Sequence, residues 1–411
     1  MNFLEFAVWG AYLTCMGRYL GNIGVGTEIG YFYSMQGVVS IFMPAVIGIV
    51  ADRWIPAQKM LGICHLVAAV FMILTAWYGA TAEGGVDFAT IFSLYSLSVA
   101  FYMPTIALSN SVAYTALRQA GMDTVKDFPP IRVFGTVGFI LTMWFVDIMG
   151  FQTNHWQFVT SAVIGIVLFL YSFTLPQCPV AKGDEHRSLS EAFGLQAFTL
   201  FRQKQMALFF IFSMLLGISL QITNGYANPF ISSFASEPEF ADTFGVQHAN
   251  ILISLSQISE TLCILLIPFC MKRFGIKNVM LISMLAWVLR FGLFSVGDPG
   301  SGVWMFILSM IVYGVAFDFF NVSGSLFVDQ NTAPEIRSSA QGLFMLMTNG
   351  IGGTIGVIAA QQIINAYTHG MKIGDQFYTV GEWSTCWFIF SAYALVVGLV
   401  FALVFHPQKL K

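Results

Sequence analysis

The stretch ILISLSQISETLCILLIPF, residues 251–269, decides the fold: it is apolar along most of its length, yet Glu260 lies near its middle. About 20 apolar residues in a helix span the hydrocarbon core of a bilayer. Gln257 precedes Glu260 by three residues and therefore shares its helix face. A carboxylate at that depth costs roughly 2.5–3.5 kcal/mol on insertion scales. Its presence there indicates recognition of a polar solute or movement of a proton.

The composition of the whole chain also indicates a membrane protein. Of 411 residues, 57% are hydrophobic and 9% are charged, whereas about a quarter of an ordinary soluble domain is charged. The net charge of -3 gives no basic face for nucleic acid. The six cysteines show no metal or redox spacing. We therefore expect an integral membrane protein that is not an enzyme and has no cofactor or metal.

Twelve apolar stretches of near-bilayer length predict an all-α membrane protein with twelve transmembrane helices in two six-helix halves. The predicted domains are an N-terminal bundle (1–175), a cytoplasmic linker (176–206) and a C-terminal bundle (207–411). Apolar residues within the linker predict short amphipathic helices on the membrane surface. The predicted span cores are 3–20, 29–50, 60–79, 89–109, 130–149, 157–175, 207–228, 249–271, 279–297, 302–325, 339–366 and 384–405.

The basic residues between spans predict the orientation. Lysines and arginines concentrate in cytoplasmic loops of membrane proteins. Apart from Arg132 and Arg290, which lie within predicted spans, only Arg18 and Lys372 fall on the side opposite the termini. Both termini and the linker are therefore expected in the cytoplasm.

Polar residues inside the second-half spans are the first candidates for binding. Gln221 and Asn224 share a helix face, and their amides suit hydroxyls and the edge of a heterocyclic base. The alternative is that these amides join neighbouring helices. Gln257 and Glu260 repeat the arrangement, and a carboxyl far from water favours its protonated form. The alternative for Glu260 is a static ion pair with an intramembrane arginine.

Two further groups carry open alternatives. Tyr313 and Phe317 lie one turn apart and suit an aromatic wall, although such spacing also serves core packing. Asp318 is a second proton-relay candidate, or the partner of Arg290 in an ion pair. Arg132 either anchors the fifth span at the inner interface or lines a cavity with Thr136 and Phe139.

Several stretches resemble known proteins. After the second and eighth spans, GIVADR (48–53) and KRFGIK (272–277) resemble the paired loop signature of the major facilitator superfamily. AGMDTVKDFPPIRVFGT (120–136), LQITN (220–224), SLSQISET (254–261) and VYGVAFDFFN (312–321) resemble bacterial nucleoside:proton symporters. The segment around Pro229 departs from that pattern, with a different end or bend expected in the seventh helix.

The resemblance implies a site as well as a fold. It implies a nucleoside pocket near the midplane between two repeat halves, and it favours the cavity role of Arg132. The implied function is a proton-coupled nucleoside importer of the bacterial inner membrane, working by alternating access and as a monomer. The alternatives are a sugar or polyol carrier of the same fold, or more remotely a membrane solute sensor. The implied pocket residues are Arg132, Thr136, Phe139, Gln221, Asn224, Gln257, Glu260, Tyr313 and Phe317, with the proton at Glu260 or Asp318.

Overall fold

The computed structural model describes residues 1–82, 85–179, 195–333 and 336–406. The chain divides into two compact units, Met1–Ser188 and Leu189–Lys411. Both are built from long apolar helices, as expected where lipid cannot satisfy backbone polar groups. The linker predicted over 176–206 lies partly outside the described residues, so its limits stay a prediction.

The described part of the first unit contains seven α-helices. The first predicted span is two short helices joined by a turn that keeps helical hydrogen bonds such as Met16 N–H to Tyr12 C=O, 2.8 Å. Glycine lets α1 and α6 approach closely, since a Cβ on Gly10 would overlap the Phe139 backbone. The helices are α1 (Asn2–Gly10), α2 (Met16–Asn22), α3 (Ile29–Arg53), α4 (Ala57–Thr81), α5 (Phe88–Gln119), α6 (Thr124–Ile148) and α7 (Trp156–Ser172).

The second unit continues the series after a 3-10 helix, Leu195–Arg202, in the linker. A π-helical turn, Leu346–Gly352, joins two of its helices. The helices are α8 (Lys204–Ser233), α9 (Phe244–Gln247), α10 (Ala249–Val296), α11 (Val303–Gln330), α12 (Arg337–Met345), α13 (Gly353–Tyr367) and α14 (Trp383–Val404). α8 continues past Pro229 to Ser233, so the helix does not end at that proline.

The prediction of a twelve-helix membrane fold is confirmed. Among the described residues, ten helices are long and apolar enough to cross a membrane. The two remaining predicted spans correspond to the divided α1–α2 segment and to the 17-residue α7. α10 contains the eighth and ninth spans, two helices that meet at a sharp kink at Gly275, where φ is 75°.

One short element among the described residues is not helical. Between α13 and α14, β1 (Thr368–Ile373) pairs antiparallel with β2 (Gln376–Gly381). The turn between them contains Gly374 at a φ of 62°, a left-handed conformation that glycine adopts without strain. This hairpin lies between the predicted spans 339–366 and 384–405, and apolar length alone gives no signal for it.

Candidate functional site

In the first unit, the three predicted pocket residues lie together on one face of α6. Spacings of four and three residues bring Arg132, Thr136 and Phe139 into line. The Arg132 guanidinium lies 3.8 Å from the centre of the Phe6 ring on α1. The Phe139 ring meets Trp9 of α1 edge-on, with centres 6.4 Å apart. Arg132 is therefore partly buried against α1 rather than placed wholly in solvent.

In the second unit, the predicted amide pair lies on α8. The Asn224 Nδ2 donates to Gln221 Oε1 at 3.4 Å. The Gln221 side chain is 7% exposed and packs beside Gly353 of α13. The bond between Gln221 and Asn224 stays within one helix. By contrast, Asn228 on the same helix donates to Asn250 Oδ1 of α10 at 3.3 Å, as an amide that joins helices does.

The two aromatic residues predicted on α11 lie with their rings nearly parallel. The Tyr313 and Phe317 rings are stacked, with centres 5.9 Å apart and planes inclined by 15°. Trp287 of α10 meets Tyr313 edge-on at 5.9 Å. The Arg290 guanidinium lies 4.6 Å from the centre of the Tyr313 ring. Tyr313 is thus fixed by contacts on both its edge and its face.

The two predicted carboxylates are close enough to affect each other. Glu260 acts electrostatically on both Asp318 and Tyr313. Asp318 is 3% exposed, and its Oδ2 has no hydrogen-bond partner among the described residues. Gln257 Oε1 is buried, and the described part of the chain offers it no partner either. Glu260 itself is partly exposed. This cluster therefore keeps polar atoms available beside the aromatic pair.

The alternative of an Arg290–Asp318 ion pair is wrong. Both side chains are described, and no nitrogen of Arg290 lies within 4.0 Å of an Asp318 oxygen. Arg290 is fully buried, and its Nη1 donates to the Ser309 carbonyl at 2.7 Å. Its Nε is 3.4 Å from Thr223 Oγ1. The arginine uses neutral oxygens and the Tyr313 ring instead, which leaves Asp318 without that counter-ion.

Sequence reasoning missed a buried acid–base pair in the first unit. Glu5 on α1 and His65 on α4 are 0% and 1% exposed, and His65 Nε2 lies 2.8 Å from Glu5 Oε2. The only sequence signal was an acid within the first apolar stretch and a histidine within the third. Sixty residues separate the two, and no spacing rule joins them.

A family model described as nucleoside H+ symporter matches residues 1–410. The chain belongs to this family. Similar proteins include the nucleoside permease NupG of Escherichia coli (strain K12), 46% identical over all of this chain and 96% of that protein. The xanthosine permease of the same strain is 45% identical over all of this chain and 96% of its own length.

Solved structures agree with the family. A crystal structure of a mutant of the nucleoside transporter NupG matches with a TM-score of 0.91 at 45% identity, covering 98% of each chain. The xylose transporter XylE from E. coli matches at 0.61 with 13% identity and therefore supports the fold alone. For this nucleoside H+ symporter family member, the predicted proton-coupled nucleoside transport is confirmed, against the sugar, polyol and sensor alternatives. It is a multi-pass inner-membrane protein.

Proposed function

We propose that the amides of Gln221, Asn224 and Gln257, together with Arg132, bind the base and ribose hydroxyls of a nucleoside. Amides donate and accept at once, as both a base edge and a ribose require. Phe139, Tyr313 and Phe317 contact the rings, and Thr136 adds a hydroxyl. The observation that carries this proposal is the stacked Tyr313–Phe317 surface beside two carboxyl groups.

The proton is carried by Glu260 and Asp318 acting as a pair. Two neighbouring carboxyls in a site of low dielectric cannot both be charged at low cost, so the pair holds a proton between them. Such a pair titrates as a unit. Glu260 is its more exposed member and exchanges the proton with water, whereas the buried Asp318 supplies the second carboxyl.

Orientation and assembly complete the proposal. Both termini lie in the cytoplasm, because nearly all loop lysines and arginines fall on their side. The substrate residues all come from one chain, so the transporter works as a monomer within the bilayer. Reporter domains fused to each terminus test the orientation: activity of an external reporter at either end would contradict it.

Uptake by proteoliposomes tests the function. The purified chain is reconstituted, and uptake of labelled uridine, cytidine, adenosine and xanthosine is measured with and without an imposed pH gradient. We expect a gradient to drive accumulation of at least one nucleoside. Unlabelled nucleosides should compete with it, and sugars or polyols should not. Equal uptake with and without a gradient would contradict proton coupling.

Paired variants separate binding from coupling. Glu260→Gln keeps the size of the side chain but cannot take up a proton. It should lose gradient-driven accumulation while retaining exchange of nucleoside across the membrane. Glu239→Gln, at an exposed position in the loop between α8 and α9, is the matched control and should behave as the wild type. Full accumulation by Glu260→Gln would contradict the assignment of Glu260.

A further inference from the structure

Glu5 and His65 form the core of a closed polar cluster, the Glu5 cluster, which also contains Thr105 and Tyr102 of α5. His65 Nε2 contacts Glu5 Oε2 at 2.8 Å, and Thr105 Oγ1 contacts Glu5 Oε1 at 2.6 Å. The Tyr102 hydroxyl donates to the Glu5 backbone carbonyl at 2.9 Å. All four residues are at most 1% exposed. None of them belongs to the proposed nucleoside pocket.

The two short contacts of the Thr105 hydroxyl indicate which group in the Glu5 cluster carries a proton. The Thr105 Oγ1 lies 2.6 Å from Glu5 Oε1 and also 2.6 Å from the Tyr102 carbonyl. A threonine hydroxyl has one hydrogen, and one hydrogen cannot align with both acceptors at such short distances. If Thr105 donates to the carbonyl, the contact with Glu5 needs a hydrogen on Glu5 itself. A protonated Glu5 Oε1 that donates to Thr105 satisfies both contacts.

The histidine favours the same placement. His65 Nδ1 is buried, has no hydrogen-bond partner among the described residues, and faces Gly165 of α7. A doubly protonated ring would bury an N–H donor without an acceptor, which costs about 1–3 kcal/mol. A neutral ring donates from Nε2 to Glu5 Oε2 and leaves only a bare nitrogen at Nδ1. The extra proton therefore fits on Glu5 rather than on His65.

Charged groups around the Glu5 cluster indicate what its proton controls. On α1 itself, the Met1 amino terminus is within electrostatic range of Glu5. α4 adds Cys64 beside His65, and α7 has no Asp, Glu, Lys, Arg or His in its sequence. On α6, the positive charge of Arg132 acts on Tyr102, and the charge of Glu5 acts on the same residue in the opposite direction. Loss of the proton would thus leave a buried negative charge that acts on Tyr102 together with the Arg132 cation.

We propose that Glu5 is a second proton-binding site, held by His65 and Thr105, whose charge state biases Arg132. In the protonated state the cluster is neutral and does not draw the Arg132 guanidinium away from a bound nucleoside. In the deprotonated state the Glu5 carboxylate attracts the guanidinium. This inference rests on the proposed role of Arg132. By thermodynamic linkage, a nucleoside that binds more tightly to the protonated state also increases the affinity of Glu5 for its proton.

Infrared difference spectroscopy on the reconstituted full chain tests the proton directly. The wild type should show a carbonyl stretch of a protonated carboxylic acid that disappears at alkaline pH. The Glu5 component should be absent from Glu5→Gln and retained in Glu260→Gln and Asp318→Asn. Thr105→Val should shift its frequency, and the matched Thr75→Val, whose hydroxyl only bonds the Phe71 carbonyl, should not. A spectrum that Glu5→Gln leaves unchanged at every pH would overturn the proposal.

Binding of uridine tests the coupling separately. In a Glu260→Gln, Asp318→Asn double variant, which lacks both carboxyls of the other proton site, the affinity for uridine should weaken at least about fivefold from acid to alkaline pH. Adding Glu5→Gln should remove that dependence while preserving binding. A dependence that survives Glu5→Gln would overturn the coupling. Absence of uridine binding by the wild type at any pH would instead contradict the proposed function, so the two failures are distinguishable.

Discussion

The two acidic clusters of the molecule differ in how completely their polar atoms are satisfied. In the first unit, both carboxyl oxygens of Glu5 have partners, at 2.8 and 2.6 Å. In the second unit, Asp318 Oδ2 and Gln257 Oε1 have none among the described residues. A closed cluster can hold a proton in a fixed place. An incompletely satisfied one retains capacity for a ligand, since buried polar atoms normally find partners.

This difference separates two roles for buried acids in one transporter. The Glu260–Asp318 pair acts on Tyr313 of the stacked aromatic pair, and we propose that a nucleoside supplies partners for Asp318 Oδ2 and Gln257 Oε1. Within the described residues, all four members of the Glu5 cluster are buried, and we propose that the cluster affects Arg132 only through its charge.

The largest effect is expected from Asp318→Asn, which removes a carboxyl from the incompletely satisfied cluster. A one-unit pH gradient supplies ~1.4 kcal/mol, enough for about tenfold accumulation when one proton moves with each nucleoside. The variant should fall to no accumulation, because its remaining carboxyl lacks the neighbour that favours proton binding. The accumulation is measured as the steady-state concentration of uridine inside proteoliposomes. Retention of the wild-type level would remove Asp318 from the proton path.

His65→Leu tests the closed cluster. If Glu5 holds the proton, the variant loses one hydrogen bond and its cost is about 1–3 kcal/mol. A stranded buried charge would cost more, about 3–5 kcal/mol. Thermal unfolding in detergent should therefore show that the variant loses a moderate amount of stability at acid pH and a larger amount at alkaline pH. A loss of stability that is the same at acid and alkaline pH would argue against a proton-binding role of Glu5.

Tyr313→Ala tests the aromatic surface. Aromatic pairs contribute about 0.5–1.5 kcal/mol beyond the area they bury, so uridine should bind several-fold more weakly. Tyr313→Phe retains the ring and is the matched control, with affinity near the wild type. Equilibrium binding of labelled uridine measures both. An equal loss in the two variants would assign the effect to the hydroxyl instead of the stacked ring.

The smallest effect is expected at Asp87, an exposed carboxylate that provides a baseline for acid pH. Its pKa is lowered because the Thr90 hydroxyl, and then the Thr90 backbone N–H, donate to it at the start of α5. A lowered folded-state pKa contributes stability above the unfolded pKa that is lost as pH falls. Asp87→Asn should reduce the fall in unfolding temperature that the wild type shows at acid pH, and it should leave uridine transport unchanged. Altered proton coupling would contradict this purely local role.

The sequence predicted most of the fold because bilayer length and apolar composition are local properties. It also identified the face shared by Arg132, Thr136 and Phe139, since helix periodicity requires no knowledge of neighbours. It did not reveal that α1 and α4 bring Glu5 to His65, because contacts between distant spans depend on packing. It left the partner of Arg290 open for the same reason: charge complementarity suggested Asp318, whereas the structure uses the Ser309 carbonyl.

The most direct test of the central claim is simultaneous measurement of uridine and proton entry in one preparation of proteoliposomes. For the wild type, we predict that an inward proton gradient drives uridine above equilibrium and that protons enter with it. For Glu260→Gln, uridine should only equilibrate, without accompanying proton entry. Uridine accumulation with proton entry in Glu260→Gln equal to that of the wild type would contradict the account.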